Sequence, residues 1–147
     1  MRIYLDVCCL NRPFDDQTQS RIHLEAEAIL SILNQSRTAG WRIIGSDAID
    51  YEISKMPDDD KRLMVQILST IRDVYVRVDS LVEKRAAEIM RLDLKTLDAL
   101  HVACAEKGKA EILLTTDDNL LSKAAKNKRM LKVKVDNPLR WAMEVIK

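Results

Sequence analysis

Glycine and proline are both scarce in this chain of 147 residues, with three of each, and aromatic residues make up only 4%. With no internal repeat, low-complexity stretch or flexible linker, the chain reads as one compact domain over residues 1–147. Cysteine is sparse too. The three are an odd number, two of them (Cys8 and Cys9) are adjacent, and none has zinc-type spacing. That excludes a disulfide framework and points to a reducing compartment, with Cys104 a small core residue. No apolar run approaches the length of a membrane span, and Arg2 leads into a strand-like segment instead of a signal-peptide core. The expectation is a soluble, cytoplasmic protein. An excess of either charge is also missing, since 24 Lys and Arg stand against 23 Asp and Glu. A protein held on nucleic acid by its global charge is thereby excluded, so any such contact rests on a local patch.

What is present is an alternation of strand and helix patterns. Ile3-Tyr4-Leu5 reads as a buried strand that ends on Asp6, and residues 11–19 read as an irregular polar stretch. Ile22, Ala26, Ile29 and Leu33 mark a helix over residues 20–37, closed by Gly40, and residues 41–45 give a second strand. Ser46 and Asp47 are cap material for a helix carrying Ile49, Glu52 and Ile53. Pro57 and Asp58-Asp59-Asp60 interrupt it before a further helix with Leu63, Met64, Ile67, Leu68 and Ile71 on one face. Strands over 74–78, 111–116 and 131–135 follow. Between them lie a helix capped by Ser80, a helix over 97–107 ended by Gly108, and a short helix around Leu120 to Ala125. Asn137-Pro138 opens the last helix. Such alternation specifies a parallel sheet, and right-handed crossovers put helices on both of its faces. The expected fold class is α/β, a three-layer α/β/α sandwich on a five-stranded parallel sheet.

Acids recur where that sheet would bind ligand. Asp6 ends the first strand, and Asp117 repeats its logic after Ile112-Leu113-Leu114 and Thr115-Thr116. In open α/β sheets the crevice beyond the strands' carboxyl ends is the usual ligand site. Asp98 falls in the first turn of a helix that is apolar nearly all round, with Thr96 a plausible cap, and Glu52 interrupts the apolar edge from Ile49 to Ile53. Each has an ordinary structural explanation: turn, dipole compensation or solvated glutamate. Four carboxylates at one edge would nonetheless repel by roughly 3 kcal/mol per pair at about 5 Å and an effective dielectric near 20. A hard divalent cation, Mg²⁺ or Mn²⁺, is the natural counter-charge for oxygen ligands, and it suits hydrolysis of a phosphodiester.

The strand acid of Ile-Tyr-Leu-Asp6, the helix acid of Tyr-Glu52-Ile, the segment Leu-Asp98-Ala-Leu-His-Val-Ala-Cys-Ala and Leu-Leu-Thr115-Thr-Asp117 together resemble a PIN domain. The likeness runs from the first strand to Asn137-Pro138 and Trp141. It implies a metal-dependent endoribonuclease that cleaves RNA, most often the toxin of a toxin–antitoxin pair of the VapC type. It also implies a homodimer and a cognate antitoxin protein as partner. By that resemblance Asp6, Glu52, Asp98 and Asp117 are both the catalytic and the metal-binding acids. One departure stands out: many relatives carry Ser or Thr two residues after the first acid, where this chain has Cys8, a weaker hydrogen-bonding group, with Asn11 a nearby substitute.

Other residues carry less. His101, one turn after Asp98, reads as a buried histidine orienting its neighbours, because hard metals favour oxygen. Asp118 reads as a helix cap, and Asp15, Asp16 and Asp58 to Asp60 as loop and cap charges. Asn11, Arg12 and Lys123 are the expected substrate-binding residues. Arg12 is placed for a phosphate, and Phe14 beside it for a stacked base. Lys123, Lys126, Lys128, Arg129, Lys132 and Lys134 form the single concentrated basic stretch, suited to an RNA backbone or to a solvated edge. The alternative class is a PIN-like module that binds RNA or protein without cutting, motivated by Cys8 and the few aromatics. A phosphoacceptor receiver domain shares the layers but wants an acidic pair after its first strand, where Asp6 stands alone.

Overall fold

Ile3, Tyr4 and Leu5 are shut off from solvent, as a strand covered on both faces requires. They form β1 (Arg2–Leu5), the centre of a sheet completed by β2 (Arg42–Ser46), β3 (Val74–Val76), β4 (Ile112–Leu114) and β5 (Lys134–Asp136). The computed structural model describes residues 1–146, and in it the strands lie in the order β3-β2-β1-β4-β5 with every pairing parallel. Ile3 sits opposite Ile43 on one side and Ile112 on the other, so apolar side chains stack across the middle of the sheet. The chain winds outward from β1 to β2 and β3, then crosses back to β4 and β5. That reversal puts the topological switch point between β1 and β4, where a doubly wound sheet opens a crevice at its carboxyl edge.

Among the described residues eight helices accompany the strands, the last following β5: α1 (Val7–Asn11), α2 (Ser20–Ala39), α3 (Asp47–Ser54), α4 (Asp59–Leu68), α5 (Ser80–Met90), α6 (Thr96–Lys107), α7 (Asp118–Lys126) and α8 (Pro138–Val145). They complete a three-layer α/β/α sandwich, with α5 packed along α6 and α2 along α8. Gly40 closes α2 at φ +71°, a left-handed cap that glycine adopts without strain. Gly108 ends α6 for another reason. Its φ of −75° is ordinary, but a Cβ there would stand 2.9 Å from Val76 Cγ2. Among the described residues no helix is long and apolar enough to cross a membrane.

Several local expectations shift. Residues 7–10, to which the sequence assigns no element, form α1 with Asn11, and the irregular stretch expected over 11–19 begins with a 3₁₀ turn over Arg12–Phe14. Strands β3 and β4 are three residues each, shorter than the expected 74–78 and 111–116, and β5 is displaced from the expected 131–135 to Lys134–Asp136. Asp79, not Ser80, caps α5 by accepting from the Val82 amide, and α6 starts at Thr96 without a side-chain cap. Helix α4 is turned from its expected face. Val65 is buried, whereas Leu63, Met64 and Ile67 are 57%, 50% and 63% exposed.

Candidate active site

Asp6 follows β1 and is the N-cap of α1. Its Oδ1 accepts from the Val7 amide at 2.8 Å, and its Oδ2 accepts from the Thr115 hydroxyl at 2.8 Å and the Cys8 thiol at 3.4 Å. Asp117, after β4, caps α7 in the same manner, with Oδ1 accepting from the Asn119 and Leu120 amides at 2.9 and 3.3 Å. Two acids at adjacent strand ends are therefore held in fixed rotamers by ordinary helix capping. Thr115 couples them, because the hydroxyl that donates to Asp6 also accepts from the Asp117 amide at 3.1 Å.

Glu52 comes from α3 and His101 from α6. The imidazole is fully buried, and its Nε2 lies 2.7 Å from Glu52 Oε1 and 3.7 Å from Asp6 Oδ1. One potential ligand atom each from Asp6, Glu52 and His101 fall within 4.8 Å of one another. Burial alone would lower the His101 pKa. The hydrogen bond to Glu52 and the charges of Asp6, Glu52 and Asp98 outweigh it and raise the pKa above its ordinary value.

Asp98 completes the group from the first turn of α6. Its pKa is pushed up to about 6, first by burial, then by the negative charges of Asp6 and Asp117, with a smaller push from Glu52 and a counter-pull from His101. Among the described residues it has no hydrogen-bond or ion-pair partner of its own. The four expected acids, from α3, the start of α6 and the ends of β1 and β4, thus share one field, at the switch point between β1 and β4. The ligand atoms already within ion-sharing distance are those of Asp6, Glu52 and His101, and Asp98 and Asp117 add their charges to that group. An uncompensated set dominated by carboxylates fits a hard divalent cation.

A sequence model of the PIN domain matches residues 3–127. The chain belongs to the PIN domain family. Proteins of this family are generally nucleases. Among solved structures, a crystal structure of VapBC2 from Rickettsia felis bound to a DNA fragment from their promoter has a chain similar to this one. The TM-score is 0.62 at 14% identity, covering 93% of this chain and 98% of that one, a likeness that extends to the fold. No curated protein matches in sequence.

Within this PIN domain the expected substrate residues meet different circumstances. Arg12 is engaged internally, its Nε 2.9 Å from Glu25 Oε1 and its Nη1 2.9 Å from Asp15 Oδ2. Those pairs hold the guanidinium to α2 and the loop. Lys123 pairs with Asp93 at 3.5 Å. Asn11 does not substitute for a hydroxyl beside Asp6: its buried Oδ1 has no hydrogen-bond partner among the described residues, and Thr115 supplies the hydroxyl instead. Cys8 sits in the same knot, 3.3 Å from the Thr115 hydroxyl and accepting from the Thr116 amide at 3.3 Å. Asp118 is not the cap of α7. It forms a two-pronged pair with Arg21, both contacts at 2.8 Å. Thr115 lies 109 residues from Asp6 along the chain, so only the pairing of β1 with β4 reveals it.

Proposed function

We propose that this PIN domain is a metal-dependent endoribonuclease that hydrolyses RNA phosphodiester bonds and serves as the toxin of a toxin–antitoxin pair. The observation that supports this reading is the shared field of Asp6, Glu52, Asp98 and Asp117, in which the Asp98 pKa is raised to about 6. Asp6, Asp98 and Asp117 would hold Mg²⁺ or Mn²⁺, and the oxygen-only donor set suits either ion. When bound, such a cation supplies Lewis-acid chemistry to the phosphodiester and its attacking water. Glu52, fixed at one oxygen by His101, leaves its other oxygen to orient that water. Thr115 and the two caps keep the strand-end carboxylates in place, so the site is preorganised before substrate arrives.

The same acids explain a partner. A guanidinium pairs bidentately with carboxylates, so an antitoxin bearing an Arg side chain would neutralise the crevice and block it. Leu63, Met64 and Ile67 on α4 add an exposed apolar face of the kind that protein partners cover. The proposed assembly is a homodimer with one antitoxin per site. The deciding experiment incubates purified protein with RNA in Mg²⁺, Mn²⁺ or EDTA. Cleavage should require the metal and vanish in Asp6→Asn. RNA binding without cleavage in either metal would leave the non-cutting module as the answer.

A further inference from the structure

A chain of buried polar groups runs from the acids into the core of the sheet, and helix capping accounts only for its Ser46 end. Tyr4, in the middle of β1, places its hydroxyl 2.7 Å from His101 Nδ1 and 2.8 Å from Ser46 Oγ. Ser46, at the end of β2, also accepts from the Ile49 amide at 3.1 Å as the N-cap of α3. Tyr4, Ser46 and His101 are all fully buried. A phenol there has no solvent to turn to, so its hydroxyl must be satisfied by these two partners. The strut therefore ties three elements together: β1 through Tyr4, α6 through His101, and α3 through both the Ser46 cap and Glu52.

The direction of donation follows from the carboxylate end. Glu52 Oε1 accepts, so His101 Nε2 carries a proton and donates to it. The Tyr4 hydroxyl satisfies Nδ1 and fixes the plane of the ring. With that plane fixed, the Nε2–H points between Glu52 at 2.7 Å and Asp6 at 3.7 Å. Its edge-on packing against the Tyr4 ring, 5.7 Å between centroids, adds steric support.

We propose that Tyr4, with Ser46 behind it, is a positioning residue: its hydroxyl sets the His101 ring so that the Nε2–H fixes the Glu52 carboxylate beside Asp6. The proposal rests on the reading of the acids as a metal and hydrolysis site, but the strut can be tested apart from it. Partners that orient groups around a metal site alter affinity or activity by about 10- to 100-fold when removed. Tyr4→Phe keeps the ring and deletes only the hydroxyl. His101→Gln keeps an amide donor where Nε2 stands, whereas His101→Asn keeps one where Nδ1 stands.

The experiment compares these variants by proton NMR, thermal melting and Mn²⁺ binding followed by electron paramagnetic resonance. Wild type should show a slowly exchanging, far-downfield Nε2–H proton, which disappears in Tyr4→Phe while the melting curve stays cooperative. Mn²⁺ affinity should fall about tenfold in Tyr4→Phe and His101→Asn and stay within about threefold of wild type in His101→Gln. RNA cleavage should lose kcat with KM nearly unchanged. A retained downfield proton together with wild-type Mn²⁺ affinity in Tyr4→Phe overturns the proposal. If wild type binds no Mn²⁺, the functional reading falls, and the Nε2–H signal alone decides the strut. Should Tyr4→Phe fail to fold, fluorotyrosine in place of tyrosine makes the phenol a stronger donor and should shift the downfield Nε2–H resonance, because only the Tyr4 hydroxyl among the described tyrosines meets His101. An unshifted resonance refutes the proposal.

Discussion

Glu25 and Asp98 are both carboxylates on helices, and their surroundings are opposites. Glu25 is 1% exposed and accepts from Arg12 at 2.9 Å, Arg21 at 3.3 Å and Asn137 at 2.6 Å, so its charge is matched inside the chain. Asp98 is half-buried, faces three other acids and has only His101 pulling the other way. Folding alone would favour replacing Asp98 with a neutral residue. A buried charge with internal partners holds a fold together, and one without them awaits a partner from outside.

The sharpest way to break the comparison is to neutralise one charge at a time. Asp6→Asn should reduce metal-dependent RNA cleavage by on the order of a thousandfold, with the melting temperature held by the retained cap. A cleavage assay and a melting curve on the same preparation check both halves. Glu25→Gln should do the reverse. Removing the buried charge that Arg12 and Arg21 share, with Asp15 left as the other carboxylate on Arg12, should lower stability by about 3 kcal/mol in denaturant titration, with no change in Mn²⁺ affinity.

Smaller effects sharpen it further. Asp98 has a folded pKa near 6 against an ordinary 3.8, so the folded state holds its proton more tightly. Its favourable contribution is therefore complete below about pH 4 and is lost as pH rises through about 6. Asp98→Asn should remove that slope, raise metal-free stability at pH 7.5 by roughly 1 kcal/mol after allowing for partial solvent screening, and abolish any rise in melting temperature with Mn²⁺. Melts at pH 4.5 and 7.5, with and without Mn²⁺, measure all three. The smallest effect belongs to the basic stretch. Changing Lys123, Lys126 and Lys128 together to Ala should weaken RNA binding a few-fold and flatten its salt dependence, with cleavage at saturating RNA largely retained. An unchanged salt slope would make these lysines a solvated surface.

The sheet was legible because β1 to β4 each contain a short apolar run and each crossover carries a helical repeat, whereas β5, Lys134-Val135-Asp136, shows only alternation. Asp6 and Asp117 stood out because both follow apolar runs. Glu52 and Asp98 could be picked out because they interrupt apolar surroundings. The Glu25 node was not legible. A glutamate in an amphipathic helix reads as solvent-facing, and its partners lie as far as 112 residues away in the chain. The same distance hid Thr115 and the hydroxyl of Tyr4, which reads simply as a core aromatic. Helix α1 escaped because five residues, Val-Cys-Cys-Leu-Asn, are too few to show a helical period. The face of α4 was misjudged since periodicity finds an apolar stripe without saying what it meets.

Because Asp6 and Asp117 are helix caps as well as site acids, asparagine at either position keeps the cap and discards the charge. An Asp codon becomes an Asn codon by a single base change. In evolutionary terms, a folded, partner-competent but inert descendant lies one mutational step from this chain, at two separate positions. On the proposed reading, selection against RNA cleavage can silence the site there without dismantling the fold.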